Sequence, residues 1–167
     1  MAAKTAGQWA ALDPVGIGDL TVTGTTQLHA LGKRCKAQDM GSTEYGFGEF
    51  IYAQGCASTV RGSVVTINDN WLTALVVADA HGAVGVALAA NVALQYGWYQ
   101  VLGRGVVSAE ATIIDGTQAY VGATAGFIDD AATAGDQIIG MIISSTTDTA
   151  TALATMTTYP ALAQTNA

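Results

Sequence analysis

Charge is what this chain has least of: only 11% of its 167 residues are Asp, Glu, Lys or Arg, against 50% hydrophobic. With so few ions to solvate it, part of the surface must consist of Thr, Ser, Ala and Gly, which suits a protein held in an assembly. Cysteine is nearly as scarce. Cys35 and Cys56 are too far apart for a redox Cys-x-x-Cys pair and too few for a secreted disulfide scaffold, so two buried or half-buried thiols are expected. With His29 and His81 they are all the soft ligands present, and no two sit as the close pair that zinc sites draw on, so no metal centre is expected. Cations are missing beyond residue 36 except for Arg61 and Arg104, which argues against nucleic acid as a partner. Long apolar runs are missing too. The start, MAAKTAGQWAALDPVG, lacks the continuous core of a signal peptide, and Asp79, His81, Asn91 and two glycines interrupt 74–94. A protein made and soluble in the cytoplasm, with no membrane span, is the expectation.

Reaction chemistry is equally thin. Nucleophilic catalysis needs a base beside the hydroxyl or thiol, and two scattered histidines offer little to activate Ser63, Ser108 or Cys56. There is no Gly-x-Ser-x-Gly turn, and Gly103-Arg104-Gly105 lacks the following helix of a phosphate cradle. Asp129 and Asp130 are adjacent, which on a strand sends them to opposite faces and in a turn leaves both in water. No catalytic residue and no cofactor is expected.

What is present is strand material. A chain of this length fits one domain plus an appendage and buries roughly two thirds of its extended surface on folding. Residues 82–109 place apolar, β-branched and aromatic side chains in short runs cut by glycines, the centre of a β-rich core. Strands are read at 49–53, 63–67, 71–78, 83–88, 98–102, 106–109, 118–123, 137–144 and 152–158. The turn signal Asn68-Asp69-Asn70 makes a hairpin of the second and third, and a tight break is expected at Gly103-Arg104-Gly105. Residues 91–96 read as a helical turn or loop, and 129–134 as a helical turn. Turn signals every ten or so residues are the mark of an all-β barrel or sandwich. The expected fold is therefore all-β: a compact antiparallel body over 49–167 preceded by an extended, mostly irregular N-terminal arm over 1–48, in which only 19–23 reads as a strand.

Charge divides along the same line. Residues 1–36 hold four cations against two carboxylates, a balance of +2, and the remainder carries −9 of the net −7. Trp9 is the arm's anchor, since a large ring fills a partner's pocket at low entropic cost. In the body, Tyr96, Trp98 and Tyr99 form the densest aromatic group; on a strand Trp98 and Gln100 face one way, Tyr99 and Val101 the other. At least one ring enters the core, and an exposed one would serve as a stacking platform for sugar.

The phrases GEFIYAQGCASTVRGSVVTI (48–67), GAVGVALAANVALQYGWYQVLGRGVV (82–107) and TAGFIDDAATAGDQIIG (124–140) give the chain a likeness to a known group. In their order it resembles small structural proteins of tailed-bacteriophage head gene clusters, the capsid decoration or cement proteins, over most of residues 30–145. The resemblance implies a β-rich, homotrimeric body on the outer capsid surface where capsomers meet, with an arm reaching across subunits and no active-site residues. The implied partners are the major capsid protein and further copies of the chain itself. Trp9, Lys33, Arg34 and Lys36 are then expected to touch capsid or a neighbouring copy, with Tyr96, Trp98 and Tyr99 in the core or trimer seam. A carbohydrate-binding head or tail appendage is the alternative.

Overall fold

The computed structural model describes residues 9–12, 17–41, 45–146 and 150–163. They form eleven strands: β1 (Trp9–Ala11), β2 (Arg34–Asp39), β3 (Phe47–Gln54), β4 (Val64–Ile67), β5 (Thr73–Leu75), β6 (Ala83–Ala87), β7 (Tyr96–Ser108), β8 (Gln118–Val121), β9 (Ile128–Asp129), β10 (Gln137–Ile143) and β11 (Thr151–Leu162). Neighbours run β1-β2-β3-β7-β6-β11-β10-β8-β9; β4 joins β5 to β6, and β7 also pairs with β11. Every ladder between these strands is antiparallel, and the only parallel contacts among the described residues are two single bridges. The expected all-β antiparallel body is what the chain forms. No helix lies among the described residues, so none is long and apolar enough to cross a membrane.

β7 is the spine. Its first half pairs with β3 and β6, and its second half, from Gly103 to Ser108, pairs with β11. The break expected at Gly103-Arg104-Gly105 does not occur; the strand runs through it. These glycines serve close approach rather than a turn, because a Cβ on Gly103 would strike the Phe47 carbonyl and one on Gly105 the Gln100 amide. The register against β3 slips by one residue at Val101, a bulge that bends the strand. Buried Gln100 donates to the Leu102 and Arg104 carbonyls there, which keeps the distorted backbone satisfied.

Two single bridges close the sheet on itself. Gln54 meets Leu72, linking β3 to the start of β5, and Ala109 meets Ile128, linking the end of β7 to β9. The first circuit, β3-β7-β6-β4-β5, encloses Ile51, Ala53, Val65, Ile67, Ala87, Tyr99 and Val101. The second, β7-β11-β10-β8-β9, encloses an aliphatic core that includes Ile138, Met141, Ile143, Met156 and Leu162 and reaches Val64, Val84 and Val86. β4 and β6 are therefore buried on both faces, which explains their near-continuous Val and Ala content. Each aliphatic side chain buried this way contributes roughly 1.5–3 kcal/mol.

The described part of the N-terminal region is mostly irregular, as expected, but two of its stretches join the sheet. β2 alternates exposed and buried residues, with Cys35 and Ala37 inward, and pairs with β3 from Arg34 to Gln38. β1 pairs with β2 in turn. The expected boundary at residue 48 thus falls inside β3. The strand read at 19–23 is a turn: Asp19 Oδ1 accepts from the Thr21 backbone N–H and hydroxyl, each at 2.8 Å, and such side-chain bonds compete with strand pairing. Leu20 is buried, fixing residues 17–31 across the sheet through a third core of Ile17, Leu20, Phe50, Tyr52 and Trp98. The helical turn read at 129–134 is also absent, because Ile128 and Asp129 pair with Val121 and Tyr120 as β9. At the other end β11 continues past Thr158 to Leu162; the last residues of the tail, from 164, lie outside those described.

Candidate docking surface

β2 turns Arg34 and Lys36 outward on the face opposite Cys35 and Ala37. Across the ladder Lys36 is paired with Glu49, and the two side chains form an ion pair at 3.4 Å. Glu49 also accepts a hydrogen bond from the Tyr159 hydroxyl at 2.6 Å. This bond is the largest reason the Tyr159 phenol lies above its ordinary pKa, since an ionised tyrosine beside a carboxylate would lose a donor and gain a repulsion. The Arg34 guanidinium stacks 4.7 Å from the Tyr159 ring centre. A small charged patch thereby ties the N-terminal strands to β11. Lys33 precedes β2 and is held by its backbone, donating to Ala30 and accepting from Tyr52.

Beside the patch lies a groove of about 290 Å³, floored by Ile51, Ile67 and Val101 and walled by Trp71 and Tyr159, with Arg34 at its rim. Trp71 has φ 61°, in the left-handed region that bulky residues avoid. Its indole lies where a Cβ on Gly32 would be, so only glycine leaves room for the ring. Asn68 Oδ1 accepts from the N–H groups of Asn70 and Leu72, both at 3.0 Å, which fixes the turn that carries Trp71.

The aromatic residues divide between two cores. Trp98 and Tyr99 are 3% and 0% exposed, on opposite faces of β7 as the alternation requires. Neither offers a platform to solvent. Tyr96 is half-buried and stacks near-parallel to Tyr52, with ring centres 6.4 Å apart. His29 packs on Tyr52 and Trp98 at 5.0 and 5.3 Å. These rings floor a cleft of about 390 Å³ whose rim carries Asp19, Thr23, Thr25 and Thr26. Trp9 meets Phe50 edge-on at 4.9 Å and Tyr45 at 6.1 Å, so the ring expected to fill a partner's pocket packs on its own sheet. Tyr52, which no site reasoning from sequence singled out, is the ring that joins this cluster; the sequence offered only an aromatic residue within the strand read at 49–53, and pairing of β3 with β7 sets it opposite Trp98.

Groups with chemical potential do not converge. Cys35 faces the aromatic core and Cys56 borders the first circuit, where its Sγ lies 3.2 Å from the Thr59 hydroxyl; no disulfide joins them. His81 is exposed. Asp129 accepts from the Asp130 N–H and Asp130 from the Ile114 N–H, so both carboxylates serve the backbone. Among the described residues no three His, Cys, Asp or Glu side chains are placed to share a metal ion. No protein-family model matches the chain, and no curated protein or solved structure matches it.

Proposed function

We propose that the chain is a decoration protein of a tailed-phage head, binding the major capsid protein on the outer surface at capsomer junctions as a homotrimer. In this reading it acts by attachment alone, without reaction or cofactor. The surface is the observation that carries it: among the described residues fourteen large apolar side chains are exposed, Ile139 and Ile142 of β10 among them. In so weakly charged a chain, such side chains fit a surface that spends its working life covered. The order of sequence phrases adds the capsid as the covering partner. Several modest contacts held by one oligomer give an avidity well above that of a single copy, and Arg34 and Lys36 stand exposed on β2 for such contacts.

Removing residues 1–36 is a poor test, because it takes away β1 and half of β2 along with Trp9 and Cys35. Co-sedimentation of the full chain with expanded, DNA-free heads is better, followed by cryo-imaging of the decorated particle. Density at capsomer junctions on the outside is expected, and weaker binding for Ile139→Asp with Ile142→Asp. Density confined to a tail tube, or turnover of a substrate, would overturn the reading. The Tyr96 and His29 cleft favours the second reading, a carbohydrate-binding appendage; glycan affinity of the free chain, lost in Tyr96→Ala, would select it.

A further inference from the structure

We infer that the groove beside Arg34 receives a loop from a second copy of this chain, the loop that carries Ile114 and Asp115. Each side supplies what the other lacks. The groove has an apolar floor and aromatic walls, and Arg34 at its rim has no carboxylate partner among the described residues. Glu49 in the same patch is engaged by Lys36 and Tyr159. On the loop, Ile114 is 61% exposed, yet it is not loose. Its N–H donates to Asp130 at 2.9 Å and its carbonyl accepts from the Thr117 hydroxyl at 2.7 Å. An aliphatic side chain is thus held out in water beside Asp115, which is also exposed and has no cation partner among the described residues.

An isoleucine suits the Ile51, Ile67 and Val101 floor, and the neighbouring carboxylate suits a guanidinium already set in place by Tyr159, the forked geometry in which such pairs are strongest. Copies that each carry −7 repel one another, so a contact that joins the one unpaired rim cation to a carboxylate is the way for them to meet. Groove and loop are different surfaces, so the contact is head-to-tail, and it closes into a ring if its rotation allows. Asp69 also lines the groove and opposes an incoming carboxylate, which makes the contact weaker than its floor alone would give. The inference rests on the self-association part of the proposed function only; a chain can bind a shell with this contact absent, and the reverse.

Sedimentation velocity of the full chain over a concentration series tests it, with circular dichroism as the check on folding. The wild type is expected to sediment above the mass of one chain, and Arg34→Asp or Asp115→Arg alone to weaken association by roughly tenfold or more. The double variant carrying both is expected to restore it, since the charges are then exchanged, and Asp69→Asn to strengthen it. A chain that stays monomeric throughout, an association that ignores both single variants, or a double variant that fails to recover would each overturn the contact. Association that instead follows Ile139 and Ile142 would place the second copy on β10.

Discussion

The core changes character along β7. Around its second half the enclosed side chains are Ile, Val, Leu, Met and Ala, with no aromatic ring. Around its first half, on the side covered by residues 17–31, the packing is done by Phe50, Tyr52 and Trp98 with Trp9 and Tyr96 at the margin. Regular strands bury aliphatic residues simply by alternating, and many small contributions add up. An irregular segment has no such period, so it is held down by a few large rings, each covering much area. Stability in the first region should therefore be spread out, and in the second concentrated in single side chains.

The sharpest way to break that contrast is Trp98→Ala against Ile143→Val. Loss of the indole should cost about 3–5 kcal/mol and loss of one methyl group about 1 kcal/mol, read from urea unfolding midpoints. The indole variant should also raise amide exchange in residues 17–31 before it does so in β10 and β11. Equal costs, or exchange rising uniformly, would mean that the two regions share one evenly packed core.

Much of the body could be read from the chain because alternation and turn residues act locally. The strands at β3, β4, β6, β8, β10 and β11 all carry β-branched or aromatic residues between glycine or Asn/Asp turns, and each lies within a few residues of its expected place. β2 could not be read. Its inward residues are the small Cys35 and Ala37 and the charged Asp39, with Arg34 and Lys36 outward, so its apolar signal is weak and only pairing with β3 makes it a strand. Gly103 and Gly105 misled for a related reason: glycine marks close backbone approach as well as turns, and only the partner strand tells which. The patch around Arg34 was half legible. Its cations stand together in sequence, but Glu49 and Tyr159 come from β3 and β11, which tertiary pairing alone brings to them.

Tyr99 lies in the first circuit, on the face of β7 opposite Trp98, and its ionisation gives a second, smaller test. Its hydroxyl accepts from Asn91 Nδ2 at 2.9 Å and lies 3.3 Å from the Thr73 hydroxyl, whose own proton goes to the Gln54 carbonyl. Burial, the largest influence, pushes the phenol from 10.0 up to about 12. The native state then keeps a proton that the unfolded chain releases, so the stabilisation is complete below pH 10 and is lost as pH rises towards 12. Two pKa units correspond to about 3 kcal/mol. Chemical unfolding followed from pH 8 to 12 should show this decline, and Tyr99→Phe should flatten it while costing about 1–2 kcal/mol at neutral pH through the bonds left unmade at Asn91 and Thr73.

The smallest effect is expected where the contrast predicts none of either kind, at the surface patch itself. Lys36 is 60% exposed, so its ion pair with Glu49 is screened by water and salt. Lys36→Ala should cost about 0.5 kcal/mol or less in unfolding experiments. Glu49→Gln reaches further, because that carboxylate also holds the Tyr159 hydroxyl and through the ring positions Arg34. If the patch serves contact rather than folding, Glu49→Gln should leave the unfolding midpoint nearly unchanged and still alter the sedimentation of the chain, since a neutral amide oxygen holds the Tyr159 hydroxyl, and with it the stacking partner of Arg34, less firmly than the carboxylate does. A shift in stability without any change in association would make the patch a brace for β11 and nothing more.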